Sequence, residues 1–173
     1  QVEISVRTTF LSEKHPLAGV VNEHNAVYVN GDAVGQTMFY GPGAGSLPTA
    51  TAIMSDVVAT IKNIQLGTTG HTAIEPLFTK TLTTPEQQRS KFYLRLHVKD
   101  EVGAFATVSE LFNEQQISFE KIIQTPSEDK SVAEIVVTTH ETSLATFKEA
   151  LVKLDALDVV ESIQSYYRIE GDA

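Results

Sequence analysis

Cysteine and tryptophan are both absent from these 173 residues, and methionine occurs only twice. The lack of cysteine excludes disulfides, thiolate nucleophiles and cysteine-ligated zinc, and it fits a reducing compartment. Cationic side chains are scarce: 13 Lys and Arg stand against 22 Asp and Glu, a formal net charge of −9. That balance excludes a broad nucleic-acid or anionic-membrane surface, because both need clustered cations. No apolar run approaches the roughly 20 residues of a membrane span, and the first ten residues lack the basic-then-apolar order of a signal peptide. A cytoplasmic location is therefore expected, with no nucleic-acid or membrane partner. The five histidines are scattered. Only His71 has a carboxylate four residues on, Glu75, and it sits in a Gly- and Thr-rich stretch, so no metal site is expected. No nucleophile, base and orienting group stand in a recognisable arrangement.

What is present is enough apolar material for one large or two small domains, at 42% of residues. The acidity is uneven. Residues 1–90 carry five basic and seven acidic side chains, whereas residues 91–173 carry eight and fifteen, a hint of two compositional units. The chain opens at Gln1, without Met, directly into strand-like alternation, so upstream sequence is expected.

Val2, Ile4 and Val6 alternate with polar residues, which predicts a half-buried strand ending near Phe10. The β-rich runs Ala26–Asn30 and Val34–Tyr40 flank Asn30-Gly31, a pair suited to a tight hairpin turn, and with the first strand they read as an antiparallel meander. Ile53, Val57, Ile61 and Ile64 recur at helical spacing, predicting a helix over Pro48–Asn63 with Ser46 or Leu47 at the cap. Residues 65–91 dissolve into Gly, Thr, Pro and Gln, an irregular connection. Regularity then returns: a strand over Phe92–Val98, a helix over Ala104–Gln115 and strands over Ile117–Gln124 and Ser131–Thr139, these two separated by a turn at 126–130. A helix over Ser143–Leu154 and a strand over Val159–Ile169 complete it. This β-α-β-β-α-β order is the ferredoxin-like split motif.

Between the predicted meander and first helix lies Gly41-Pro42-Gly43-Ala44-Gly45-Ser46-Leu47-Pro48-Thr49-Ala50. Three close glycines leading into a helix N-terminus suit a bound polyanion, since glycine lets backbone approach a ligand and the first helical turn presents unpaired N–H groups. The spacing is not the dinucleotide fingerprint: its sixth position is Ser46, and no acidic residue follows about twenty positions on. In the second half, Val98-Lys99-Asp100-Glu101-Val102-Gly103-Ala104-Phe105-Ala106 joins the first strand of the split motif to its first helix. Gly103 permits a close turn, the amides entering the helix can hold a carboxylate, and Asp100 can cap the helix or meet an ammonium group. The same residues also suffice for a plain strand-to-helix turn.

The Val98–Ala106 segment resembles the signature of ACT domains, small-molecule sensors that usually bind amino acids. Tyr40 to Ala50, with Asp56 downstream, resembles the GxGAGxxPTAxAxxxD segment near the end of the catalytic domain of homoserine dehydrogenases. His15-Pro16-Leu17 and Asn25-Ala26 also sit where that family has a Pro-Leu turn and an Asn before a strand. The resemblance covers essentially the whole chain and implies an α+β architecture. Residues 1–82 would be the remnant of a mixed-sheet catalytic and dimerisation domain, 83–91 a linker, and 92–170 a ferredoxin-like βαββαβ ACT domain. It implies an enzyme that interconverts L-homoserine and L-aspartate 4-semialdehyde with NAD(P), on the route to threonine and methionine. The nucleotide-binding fingerprint and the substrate-binding Lys, Glu and Asp of that family are not found here, so the chain alone is expected to be inactive and to bind no cofactor tightly, with no catalytic residue of its own. By resemblance Gly45 is the best cofactor contact, followed by Gly43, Gly41 and Thr49. Asp100, Val102, Gly103, Ala104 and Phe105 would bind an amino-acid effector, with threonine expected, in a homo-oligomer (dimer or tetramer). The alternative is a stand-alone amino-acid-binding and dimerisation module without dehydrogenase activity.

Overall fold

The structure, a computed structural model, describes residues 1–69, 79–126 and 131–171. His71, Glu75 and residues 127–130 of the expected turn lie outside the described residues. In chain order the elements are β1 (Thr9–Leu11), β2 (His24–Gly31), β3 (Gly35–Pro42), α1 (Ser46–Leu66), β4 (Arg89–Lys99), α2 (Ala104–Glu114), β5 (Phe119–Pro126), β6 (Val132–Thr139), β7 (Thr142–Ser143), α3 (Leu144–Asp155) and β8 (Val160–Glu170), with a short 3-10 helix at Pro16–Gly19. The chain divides into two compact units, Gln1–Leu11 with Lys80–Ala173, and Ser12–Thr79.

The first unit is built on a sheet of order β1-β8-β4-β6-β5, with β7 pairing β4. β8, β4, β6 and β5 run antiparallel to their neighbours, which is the ferredoxin-like order, and β1 adds a parallel fifth strand beside β8. Alternation along β4 sends Phe92, Leu94, Leu96 and Val98 to one face, where Ala133, Ile135 and Val137 of β6 join them. Helical spacing brings Val108, Leu111 and Phe112 of α2 and Phe147, Ala150, Leu151 and Leu154 of α3 onto that face. Phe92 and Phe147 stack within this core, ring centroids 4.0 Å apart. Buried Thr139 does not stay unpaired, because its Oγ1 accepts the Phe92 amide at 3.0 Å. Ser143 caps α3 by accepting the Thr146 amide at 3.0 Å.

The opposite face of this sheet carries Tyr93, Arg95 and His97 of β4 and Glu134 of β6. Arg95 Nε donates to Glu134 Oε2 at 2.6 Å, and His97 Nε2 lies 3.5 Å from the same oxygen. The Arg95 guanidinium, with a smaller contribution from His97, holds the Glu134 carboxyl below the ordinary glutamate range. A depressed folded-state pKa adds stability above the unfolded value, about 4.3, and that contribution disappears as pH falls through the folded value. Glu134→Gln is therefore expected to lower the thermal midpoint of this unit modestly near neutral pH, with the deficit closing in acid. Melting curves of both proteins across that pH range check it; a deficit that persists unchanged below the glutamate range would refute the assignment.

The second unit consists of the β2–β3 hairpin, the 3-10 turn and α1. Gly31 pairs with Gly35, so the hairpin turns through Asp32, Ala33 and Val34, with Gly35 at φ +72°. The turn is thus a three-residue connection closed by a left-handed glycine, one position beyond the two-residue Asn-Gly turn that the sequence predicts. Helix α1 starts earlier and ends later than its periodicity suggests: Gly45 is its cap, and Gly67, at φ +64°, ends it with its amide on Asn63 and Ile64 carbonyls. None of its 21 residues is buried. Ile53, Val57, Ile61 and Ile64 keep the predicted stripe but remain 42–63% exposed.

The predicted strand over Val2–Phe10 is corrected. Only Thr9–Leu11 is ladder, and it pairs with β8 of the first unit, leaving β2 and β3 as a two-stranded sheet without it. Upstream, Val2 makes a single parallel bridge to Leu82. Alternation needs a covered face to become a strand, and Ile4 and Val6 are 73% and 102% exposed. The compact units accordingly divide the chain differently from a linear boundary at 83–91.

Candidate functional site

Around the glycine segment the three glycines differ in what demands them. Gly41 sits inside β3 opposite Asn25, and a Cβ there would meet nothing within 4 Å. Gly43 donates to Glu23 O at 2.8 Å, and a Cβ on it would fall 2.1 Å from the Asn25 side-chain nitrogen. A side chain there would have to displace the amide group of Asn25, the residue the sequence marks before the strand. Gly45 has φ +119° and ψ 148°, a region essentially reserved for glycine, and its Cβ position lies 3.3 Å from Pro48 Cδ. No side chain caps α1. Thr49 donates its amide to Gly45 O at 3.2 Å, closing the first turn, and Pro48 has no N–H. The amides of Ser46 and Leu47 are therefore the ones that a helix start leaves directed outward. The sequence placed the cap at Ser46 or Leu47; the structure moves it to Gly45 because only glycine adopts that backbone. An open depression of about 230 Å³ lies on the hairpin beside Gly41, lined by Asn25, Phe39, Tyr40 and Pro42 among others.

At the second candidate site, β4 ends in a clamp. The amides of Lys99 and Asp100 reach Val159 O and Ser131 O, each at 2.9 Å, tying the strand to β8 and β6 just before the turn. Gly103 caps α2 at φ +97°, and its carbonyl accepts the Thr107 amide at 2.9 Å. No side chain caps α2, so the capping role open to Asp100 in the sequence is not taken up; its carboxylate is free for other use. Asp100 lines an open depression of about 520 Å³ with Lys99, Glu101, Ser131, Val132 and Glu161. Val102 projects fully into solvent. Ala104 is buried and its amide donates to Glu101 O at 3.3 Å, and Phe105 packs on the core, so of these two it is Phe105 that can offer a ligand a backbone amide, with little side chain. Ser131 and Glu161 were missed by sequence reasoning; they reach Asp100 through pairing of β6 and β8 with β4, which no local pattern encodes.

Among the described residues, no group of three or more His, Asp or Glu could hold a metal ion, and no helix is long and apolar enough to cross a membrane.

The first unit contains a ferredoxin-like βαββαβ fold with a left-handed glycine at the β4–α2 turn, and residues 92–158 match the ACT domain family model. Residues 1–58 match the model named homoserine dehydrogenase. The chain is 50% identical over 173 residues to the homoserine dehydrogenase of Bacillus subtilis, covering 99% of this chain and 40% of that protein. It is 36% identical to the Neisseria gonorrhoeae homoserine dehydrogenase, covering 98% and 40%. The crystal structure of a homoserine dehydrogenase from Thiobacillus denitrificans superposes with a TM-score of 0.83 at 32% identity, over 97% of this chain and 39% of that one. Homoserine dehydrogenases thus match the chain along essentially its whole length, and it spans about two fifths of the length of these curated relatives.

Proposed function

We propose that this chain is the C-terminal part of a homoserine dehydrogenase, the enzyme that interconverts L-homoserine and L-aspartate 4-semialdehyde with NAD(P) on the way to threonine and methionine. Residues 1–82 belong to its catalytic portion, 83–91 to a linker and 92–170 to a regulatory ACT domain. The observation that carries the reading is the joint occurrence of the uncapped, glycine-led start of α1 and the glycine-led start of α2 in one chain homologous to these enzymes end to end. The uncovered apolar stripe of α1 supports it, since such a helix is stable only against further protein.

In the complete enzyme NAD(P) supplies the hydride acceptor. What this chain offers the cofactor is the backbone around Gly45, with Gly43 shaping the loop through Asn25, and Gly41 and Thr49 flanking it. The proton-moving residues lie outside these 173 residues, so the chain by itself turns over no homoserine. Its own activity is binding: an amino acid, threonine as the expected end-product effector, held by the amides of Gly103 and Phe105 through its carboxylate and by Asp100 through its ammonium group. The protein works in the cytoplasm as a homo-oligomer.

Calorimetry of the chain with threonine, isoleucine and methionine tests this. Heat from at least one is expected, with loss of the signal in Asp100→Asn. Silence from all three would reduce the ACT domain to a structural element.

A further inference from the structure

Residues 1–11 have a double membership. They open the stretch that matches the homoserine dehydrogenase model, yet in space they are strand and strap of the ACT unit. We propose that this strap is the coupling element of the protein: its docking on β8 transmits the state of the ACT sheet into the segment that begins at Ser12. The regulatory sense of this coupling rests on the function proposed above.

The strap is held at three separate points. Phe10 lies against Tyr93 and Tyr167, a directly opposed cross-strand pair, with ring centroids at 4.8 and 4.7 Å. Glu3 pairs with Arg168, and Arg7 Nη2 lies 3.7 Å from the same Glu3 oxygen. Arg168 is also met by Glu170 Oε1, 2.9 Å from its Nε but outside hydrogen-bonding geometry, so it depends on Glu3 for its best partner. The Val2 amide donates to Thr81 O at 2.8 Å and its carbonyl accepts from Thr83 at 3.1 Å, which joins the strap to the start of the connection to β4. Both points at which the chain leaves this unit, after Leu11 and before Lys80, therefore adjoin the strap.

The grip is discrete and weak enough to switch. The ladder is three residues long at a sheet edge, and Ile4 and Val6 between the anchors are solvent-exposed. Such a segment opens at far lower free energy than the core. It is also connected to the ACT turn by contact: β4 carries Tyr93 under Phe10 and ends in the Asp100–Gly103 turn, and Lys99 N on Val159 O joins that end to the start of β8. A ligand that stiffens the turn stiffens the bed on which Phe10 rests.

The test uses the full-length protein and Phe10→Ala, with Glu3→Gln as a second variant; Phe10 is 40% exposed, so its truncation leaves the core intact. Three readings are taken: effector affinity by calorimetry, effector action on turnover, and hydrogen exchange over residues 9–31 and β8. The expected result is affinity within about twofold of the unaltered protein, effector action reduced by roughly fivefold or more, and faster exchange in residues 9–31. If an effector binds and regulates Phe10→Ala and Glu3→Gln as it does the unaltered protein, the strap is not the coupler, and the proposed function stands without it. If no amino acid binds the unaltered protein, the sensing role fails, and the ligand-free exchange decides the strap: acceleration confined to residues 9–11 overturns it, and acceleration running on through 12–31 upholds it.

Discussion

Phe147→Ala is expected to lower the stability of the ACT unit by about 3–5 kcal/mol, the range for removing a fully buried phenylalanine. Phe147 has no solvent exposure, stacks on Phe92 at 4.0 Å with rings nearly parallel, and contacts Tyr166 edge-on at 6.0 Å. It lies between Phe92 of β4 and Tyr166 of β8, so its removal takes a ring contact from each strand. Domains of this size are stabilised by about 5–15 kcal/mol, and a loss of this magnitude removes a large share of it. Denaturant unfolding followed by near-ultraviolet circular dichroism measures it. A loss below about 1 kcal/mol would mean that the site relaxes. Val152→Ala on the exposed side of the same helix serves as the control with little expected change.

Gly45→Ala carries the second large effect, and it acts on function. A non-glycine residue at φ +119° and ψ 148° costs about 1–3 kcal/mol in backbone strain. The contact with Pro48 Cδ at 3.3 Å adds to it, because proline cannot rotate away. The chain relieves the strain by rotating the start of α1, which redirects the Ser46 and Leu47 amides. In the full-length enzyme this is expected to raise the dissociation constant for NAD(P) by about tenfold or more, the equivalent of 1.4 kcal/mol or above. Fluorescence titration of the reduced cofactor reads it. Gly41→Ala is the informative comparison, since a methyl group there meets nothing. Equal cofactor affinity in Gly45→Ala and the unaltered enzyme would remove the loop from the site and leave it a strand-to-helix joint.

Much of the ACT unit was legible in the sequence for a physical reason. β4 alternates because only one of its faces is roofed by helices, and α2 and α3 repeat at helical spacing because each lays one stripe on that face. Phe92 to Val98 and Val108 to Phe112 announce both facts without any knowledge of neighbours. The same reading went astray over Val2 to Val6, where alternation was present but Ile4 and Val6 are exposed among the described residues. The true partner of β1 is β8, with Thr9 opposite Arg168, and pairing over that separation leaves no local mark. The cap of α1 was misplaced by one or two residues because Ser46 has the side chain of a cap, whereas Gly45 has the backbone for one. At the candidate sites, Gly43, Gly45 and Gly103 could be identified as special from sequence. What Gly43 makes room for became clear only with the Asn25 amide lying where its Cβ would be.

On the proposed function, this chain completes a homoserine dehydrogenase without containing its catalytic groups. Homoserine-dependent reduction of NAD(P), measured side by side for the full-length protein and for the 173-residue chain, tests it most directly. Turnover by the full-length protein and none by the chain is the predicted result. Turnover by the purified chain, or none by the full-length protein with either cofactor, would contradict it.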